Sequence, residues 1–334
     1  MMEQVIRRGL CVRCGACVGL CPYFDYFDGK VIVMDPCPAG TFRCLQVCPR
    51  ADYEKTAPGR EDASGDIGPC RELVTARSTD ATVRKRSQYG GTVSALLIHA
   101  LETGGLTSAV LTDAGDLFAP EGKLVQNRTE ILECAGSRYS GSGTLAVMNR
   151  AIKDGQRGLG VVGLPCQMEA LARMRRMEPD GEVRMGAVAF TIGLFCTWAL
   201  DYRRLQAFLS QNQIEGPVLK YDIPPPPAEE FKVLTETGWQ PFPLSPVRQM
   251  VLKGCAFCED MTAEYADISV GTVEGRDGWN TVIARTERGQ ALLEGAIKEG
   301  RLETDNLPDE HLAHLKEAAR NKRKRAQQTK HRQS

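Results

Sequence analysis

Four cysteines near the start of the chain are spaced to wrap an iron–sulfur cubane. Cys11, Cys14, Cys17 and Cys21 form C-x2-C-x2-C-x3-C, closed by Pro22. Three close thiolates reach three irons from one tight loop, and the fourth, before proline, ligates the other cluster in two-cluster ferredoxins. A structural zinc site needs only four ligands and no such run. A second, irregular motif follows. Cys44 and Cys48 keep C-x3-C-P with Pro49, but Thr41 stands where a ligand is expected and Cys37 lies seven positions before Cys44. Cross-ligation assigns Cys11, Cys14, Cys17 and Cys48 to a first cluster. Cys21, Cys37 and Cys44 remain for a second, one ligand short. Cys70 would complete it if the intervening segment folds back. A three-iron cluster, a non-cysteine ligand, or no second cluster are the alternatives.

Cys166, Cys196, Cys255 and Cys258 form the remaining patterned set. Two end apolar strands and two make a C-x2-C pair. Four thiolates converging on one sheet edge would bind another cluster or a zinc ion. Cys166 also starts a helix, whose dipole favours a thiolate. Cys134 fits no pattern and reads as a buried structural residue. The run Gly158 to Gly163 matches G-x-G-x-x-G literally. Its glycines lie before and within a strand instead of opening a helix, so a nicotinamide site is rejected there. Gly90-Gly91, opening a helix, is the better cofactor candidate: glycines admit a phosphate to exposed N–H groups and the dipole favours the anion. The stretch Gly136-Ser137-Arg138-Tyr139-Ser140-Gly141-Ser142-Gly143 is a second glycine-rich loop with one cation. It reads equally as an ordinary surface loop.

These residues need a scaffold. After Gly90-Gly91, Val93, Leu96, Leu97, Ala100 and Leu101 mark one apolar helix face, ended by Gly104-Gly105. SAVLTD (108–113), LGVVG (159–163) and VAFTIGLF (188–195) read as strands, with QMEALARMRRM after Cys166 as a helix. ADISVG (266–271) and TVIART (281–286) read as further strands and GQALLEGAIKEG (289–300) as an amphipathic helix. Alternation of this kind predicts an α/β domain with a mostly parallel sheet, whose ligands sit at the carboxyl ends of the strands. The four prolines of YDIPPPPAEE (221–230) predict an extended loop. The expected organisation is a ferredoxin-type module over 1–53, a polar Gly/Pro linker over 54–70, two parts of a larger domain over 71–150 and 151–315, and a basic tail over 316–334. The tail reads as a frayed, solvated helix in preference to a contact for a polyanion or partner.

Composition bounds the rest. The 334 residues carry no net formal charge, so nothing in the overall charge argues for nucleic acid or an anionic membrane surface as partner. No apolar run approaches the roughly 20 residues of a membrane span, and MMEQVIRRGL lacks a signal-peptide core, so a cytoplasmic protein is expected. Thirteen cysteines in a reducing compartment point to metal rather than disulfides. Four histidines are too few to favour zinc or haem over iron–sulfur clusters. A low-oxygen host fits this composition.

Taken in order, the ferredoxin module, YGGTVSALL (89–97), GSRY (136–139), VVGLPCQMEAL (161–171), TIGLFC (191–196), CAFCED (255–260), ADISVG (266–271) and GWNTVIART (278–286) resemble the coenzyme F420 hydrogenase/dehydrogenase beta-subunit family over nearly the whole chain. The resemblance implies a ferredoxin-like 4Fe-4S module followed by a mostly parallel α/β flavin-binding domain. It implies FAD, two or three 4Fe-4S clusters, and electron exchange with the deazaflavin coenzyme F420 or a similar hydride carrier. Motif by motif, Gly90, Gly91, Thr92, Gly136, Ser137, Arg138 and Tyr139 would line the flavin from one side. Asp267, Gly271, Gly278, Asn280 and Thr281 would line it from the other. Cys166, Cys196, Cys255 and Cys258 would hold the adjacent cluster. The departures are Thr41, and Leu164 and Trp198 beside two ligand cysteines.

The implied logic is a converter between two-electron and one-electron chemistry, which suits the lack of any catalytic triad. Substrate oxidation would then belong to a separate hydrogenase, formate dehydrogenase or heterodisulfide-reductase-like subunit. The rival readings are a relay that bridges two partners without a hydride substrate of its own, and a zinc-stabilised scaffold.

Overall fold

The structure, a computed structural model, describes residues 2–37, 42–51, 65–113, 119–177, 179–224 and 228–332. Thr41, most of the expected linker and three of the four consecutive prolines lie outside these residues.

The N-terminal cysteines are carried by α1 (Met2–Arg7), the hairpin β1 (Phe24–Phe27) and β2 (Lys30–Val33), and α2 (Arg43–Val47). The hairpin turns at Asp28-Gly29, where both φ angles are positive (46° and 70°), the geometry that Asp-Gly supplies in a two-residue turn. The larger unit starts with β3 (Glu72–Ser78), α3 (Ala81–Arg86), α4 (Thr92–Glu102), β4 (Ser108–Thr112), β5 (Gly122–Val125), α5 (Arg128–Glu133) and α6 (Thr144–Lys153). It continues with β6 (Leu159–Gly163), α7 (Pro165–Arg175), α8 (Gly181–Met185), β7 (Val188–Leu194) and α9 (Tyr202–Gln211). Then come β8 (Lys220–Asp222), β9 (Glu230–Thr235), β10 (Gly238–Pro243) and α10 (Leu244–Arg248). A 3-10 turn at Lys253–Phe257, β11 (Ile268–Thr272), β12 (Asn280–Ala284), α11 (Glu287–Lys298), β13 (Leu302–Asp305) and α12 (Asp309–His331) complete the order.

Eight strands form one sheet in the order β13-β3-β12-β11-β7-β6-β4-β5. Its centre is parallel: β4, β6, β7 and β11 are consecutive parallel neighbours. β3 shares their direction, while β12, β13 and β5 run against it. All five residues of β6 are buried, as expected for a strand covered on both faces. α4 and α11 cover one face, with Leu96, Leu97, Leu293 and Ala296 against Val270 and Val282. α6 and α7 cover the other, with Leu145, Met148, Met168 and Leu171 against Val110 and Val161.

A feature absent from the sequence reading is a small antiparallel sheet, β10-β9-β8, packed with α9 and α10 around Phe231, Val233, Leu205 and Val247. Along β9 the buried residues Phe231, Val233 and Thr235 alternate with half-buried ones, a period of two overshadowed in the sequence by the preceding prolines.

The N-terminal module is seated on the larger unit. A Cβ at Gly15 would lie 2.7 Å from Gly143 O, so glycine lets the cysteine loop touch the start of α6. Leu145 N donates to Cys14 O (3.2 Å), and Asn149 Nδ2 donates to Ala16 O (2.9 Å) and Val18 O (2.7 Å). Arg13 pairs with Asp201 across the same seam.

The C-terminal tail departs from expectation. α12 runs without a break through Lys316, and Ala319, Lys322 and Ala326 are buried along one face. Spacings of three and four residues put them on a single stripe. Arg323 meets Glu264 (3.1 Å) and Lys330 meets Glu259 (2.6 Å), so the helix is docked rather than frayed. Among the described residues no helix is long and apolar enough to cross a membrane.

Candidate functional site

Cys11, Cys14 and Cys17 lie on the loop between α1 and β1, and Cys48 caps the C-terminus of α2. Backbone N–H groups of Arg13 and Arg50 point at Cys11 Sγ and Cys48 Sγ, each at 3.4 Å. Burial raises all four thiols above their ordinary range, and their mutual repulsion adds to it: Cys17 feels Cys11, Cys14 and Cys48. These are the four residues that cross-ligation assigns to one cluster. Cys44 is in turn opposed by Cys21 and Cys37, the residues assigned to a second.

Cys70 does not complete that second set. It is exposed at the start of β3, with Arg285, Glu72 and Lys316 as its charged neighbours. The cause is Arg285, whose guanidinium donates to Ile67 O (2.8 Å) and Pro69 O (2.7 Å) and ties this stretch to the sheet.

Cys166, Cys196, Cys255 and Cys258 line one cavity. β6 and β7 are parallel and in register at Gly163 and Gly193, so their carboxyl ends coincide. Cys166 follows Pro165 in the first turn of α7, Cys196 follows β7, and the C-x2-C pair arrives on the 3-10 turn and the residue after it. Ala199 N donates to Cys255 Sγ (3.4 Å). Leu164 and Trp198, the departures from the family pattern, line the same cavity.

Two buried cations, Arg50 and Lys322, complete its wall. Lys322 Nζ donates to Cys196 O (2.6 Å). Among the described residues, no three His, Cys, Asp or Glu side chains close to the geometry of a single bound ion. Four thiols ringing a cavity beside two cations suit a polynuclear anionic group better than one zinc. Burial outweighs the helix dipole at Cys166, whose thiol is pushed up strongly, and raises Cys196 to about 12. Metal binding here must therefore displace protons.

The residues assigned to flavin fall into two connected groups and one outlier. Gly91, with φ 75°, precedes α4 and offers it no side-chain cap. Asn280 Oδ1 accepts from Thr92 Oγ1 (3.0 Å), Asn280 Nδ2 donates to Gly271 O (3.1 Å), and a Cβ at Gly90 would lie 2.7 Å from Asn280 Oδ1. Thr281 Oγ1 donates to Thr272 O (3.1 Å), and Gly278 has φ 75° in the connecting turn. The second group, Gly136 to Tyr139, abuts the first through Ser137 N, which donates to Gln88 Oε1 (3.4 Å). Tyr139 packs edge-on against Tyr221, 6.1 Å between ring centres. Arg138 donates to Ala135 O (3.2 Å), while its buried Nε finds no hydrogen-bond partner among the described residues. An idle buried guanidinium donor beside a glycine-rich helix start fits a phosphate group.

Asp267 is the outlier. It precedes β11, at the end of the strand opposite Gly271. Its carboxylate accepts from Thr191 N (2.9 Å), Thr191 Oγ1 (3.0 Å) and Thr286 Oγ1 (2.6 Å), with Arg288 at 3.1 Å. These bonds join β7, β11 and the start of α11, and leave nothing for a cofactor.

Residues missed in the sequence border the same region. Gln88 Nε2 donates to Tyr221 O, Tyr89 OH to Asp222 Oδ1 and Lys220 Nζ to Ser87 O, each at 2.7 Å, strapping β8 over the 87–91 loop. The Phe195 ring occupies the place of a Gly271 Cβ, and the next residue is Cys196.

Two family models match this chain. The beta-subunit N-terminal part of coenzyme F420 hydrogenase/dehydrogenase covers residues 73–149 and the C-terminal part covers 156–310. The coenzyme F420 hydrogenase subunit beta of Methanosarcina barkeri is 34% identical over 248 residues, 73% of this chain and 84% of that protein. The coenzyme F420-dependent sulfite reductase of Methanocaldococcus jannaschii is 30% identical over 314 residues, 90% of this chain, which spans only 48% of that protein. A chain of the F420-reducing NiFe hydrogenase complex from Methanosarcina barkeri superposes with a TM-score of 0.73 at 31% identity, over 79% of this chain and 92% of that one.

Proposed function

This chain belongs to the coenzyme F420 hydrogenase/dehydrogenase beta-subunit family, and from that premise we propose that it is an electron-transfer oxidoreductase subunit. It exchanges a hydride with coenzyme F420 or a similar carrier and single electrons with its partners. FAD, when bound, takes up two electrons as hydride, and iron–sulfur clusters carry them one at a time. Its partner is a catalytic subunit of hydrogenase or formate dehydrogenase type.

The observation that carries this reading is contiguity. The 87–91 and 136–139 loops meet through Gln88. Gly271, tied to Thr92 by Asn280, packs under Phe195, the residue before Cys196. Cys166, in the cavity with Cys196, lies close enough to Cys14 to feel its charge, as Cys17 does to Cys44. A path thus leads from a phosphate-binding cleft through three cysteine sets. In this reading Arg138 holds a flavin phosphate, the Gly90-Gly91 turn admits it to the start of α4, and β8 shields the cleft from water. The cysteines supply the iron ligands, and Arg50 and Lys322 offset the negative charge of the cluster between them.

Anaerobic purification with iron, sulfide and flavin quantified tests this directly. Flavin with at least two clusters, both bleached on adding reduced F420, is the expected result. Protein with neither flavin nor sulfide overturns the proposal. Bleaching only through an added partner subunit would favour the relay reading.

A further inference from the structure

Arg50 follows the last cysteine-proline pair of the N-terminal module and is 3% exposed. Its backbone N–H donates to Cys48 Sγ (3.4 Å), within the Cys11, Cys14, Cys17, Cys48 set. Its side chain leaves that set and lines the cavity of Cys166, Cys255 and Cys258. There Nε donates to Gly254 O (2.9 Å), the residue before Cys255. Nη1 bonds Pro49 O and stands 3.6 Å from Glu169, whose carboxylate Arg173 already engages at 2.9 Å. Nη2 is buried and finds no hydrogen-bond partner among the described residues. A buried guanidinium with an idle donor is costly unless an anion faces it.

We propose that Arg50 is a positioning residue shared by two iron–sulfur clusters, a single cation that raises the reduction potential of both. The proposal rests on the reading that both cysteine sets hold clusters. Adding one electron makes a cluster more negative by one charge, and a fixed cation in a poorly screened interior favours that reduced form. One residue facing both sites keeps their potentials aligned for transfer between them. Arg50 is joined to one set through its backbone N–H on Cys48 Sγ and enters the other through a guanidinium that lines the cavity with Cys166, Cys255 and Cys258. Lys322 provides the contrast. It is 4% exposed, lines the same cavity and donates its described hydrogen bond to Cys196 O, on the sheet side of the seam.

The test is anaerobic potentiometric titration followed by electron paramagnetic resonance, on the full-length protein with iron and sulfide quantified. Arg50→Gln should lower two cluster midpoints at unchanged iron content, and Lys322→Gln only one. Arg50→Lys, which keeps the charge and loses the fork, should stay near wild type at both. Arg50→Gln shifting one midpoint or none at full iron content overturns the proposal. Should Gln cost iron, Arg50→Lys decides: midpoints near wild type support it, and a fall in either overturns it. Wild-type protein lacking iron in either set overturns the functional reading, and the proposal with it.

Discussion

Cys14 and Cys166 belong to one packed cluster spanning the seam between the N-terminal module and the sheet, close enough for Cys166 to feel the charge of Cys14. Of the charged groups near Cys166, Cys14 opposes its ionisation most, ahead of Cys258 and Cys255 from its own cavity. Two cysteine sets far apart in the chain are therefore neighbours, and variants in one can be read against the other.

Cys14→Ala should remove the N-terminal cluster, because it deletes an iron ligand that water replaces poorly. Iron should fall by about one cluster per chain, with the matching resonance signal lost and flavin retained. Unchanged iron and spectra would refute the assignment.

Cys258→Ser should leave a bound flavin reducible by its hydride donor while onward transfer slows by about tenfold or more, the scale on which altered metal ligation shows. Stopped-flow absorbance, following flavin and cluster bleaching separately, checks this. Wild-type cluster reduction rates would take these cysteines off the path.

Gly91→Val should give flavin-poor protein that keeps its N-terminal cluster. At φ 75° a β-branched residue costs on the order of 1–3 kcal/mol, and its Cβ would approach Val83 Cγ1 to 3.0 Å. Flavin-to-protein absorbance and a thermal melt report both effects, and full flavin occupancy counts against this placement.

Asp267→Asn should cost roughly 1–3 kcal/mol of stability, the range for buried polar groups left unsatisfied, without changing flavin or iron content. Its partners are Thr191, Thr286 and Arg288, all within the scaffold. Loss of flavin at unchanged stability would restore the cofactor role that the resemblance implied.

Thiol labelling should separate ligand cysteines from bystanders. In the iron-loaded protein at pH 8, Cys70 is exposed and should react first. Cys134 is 7% exposed and raised to about 11 by burial, so it should stay unlabelled until unfolding. The remaining eleven of the thirteen cysteines should become reactive after iron is chelated. Mass spectrometry of the labelled peptides gives the answer.

What was readable in the sequence was local. The C-x2-C-x2-C-x3-C-P run marks Cys11, Cys14 and Cys17 as neighbours because one loop carries them. The α4 face and the buried strands declare themselves by period. What was unreadable depends on convergence. Arg50 and Lys322 meet at one cavity from nearly opposite ends of the chain, and no spacing rule links them. The buried stripe Ala319, Lys322, Ala326 is hidden in a basic run because its apolar members are only alanines. Asp267 shows the limit of matching by motif: the residue is in place, and its carboxylate is spent on neighbouring strands.

The order of the central sheet has a consequence for biogenesis. β3, near the start of the larger unit, pairs with β12 and β13, which leave the ribosome long after it. α12, 23 residues long and carrying Lys322, is translated after both. The chamber around Cys166, Cys196, Cys255 and Cys258 therefore lacks one wall until α12 has been made. Any group destined for the chamber would have an open door in that interval, and the docking of α12 closes it.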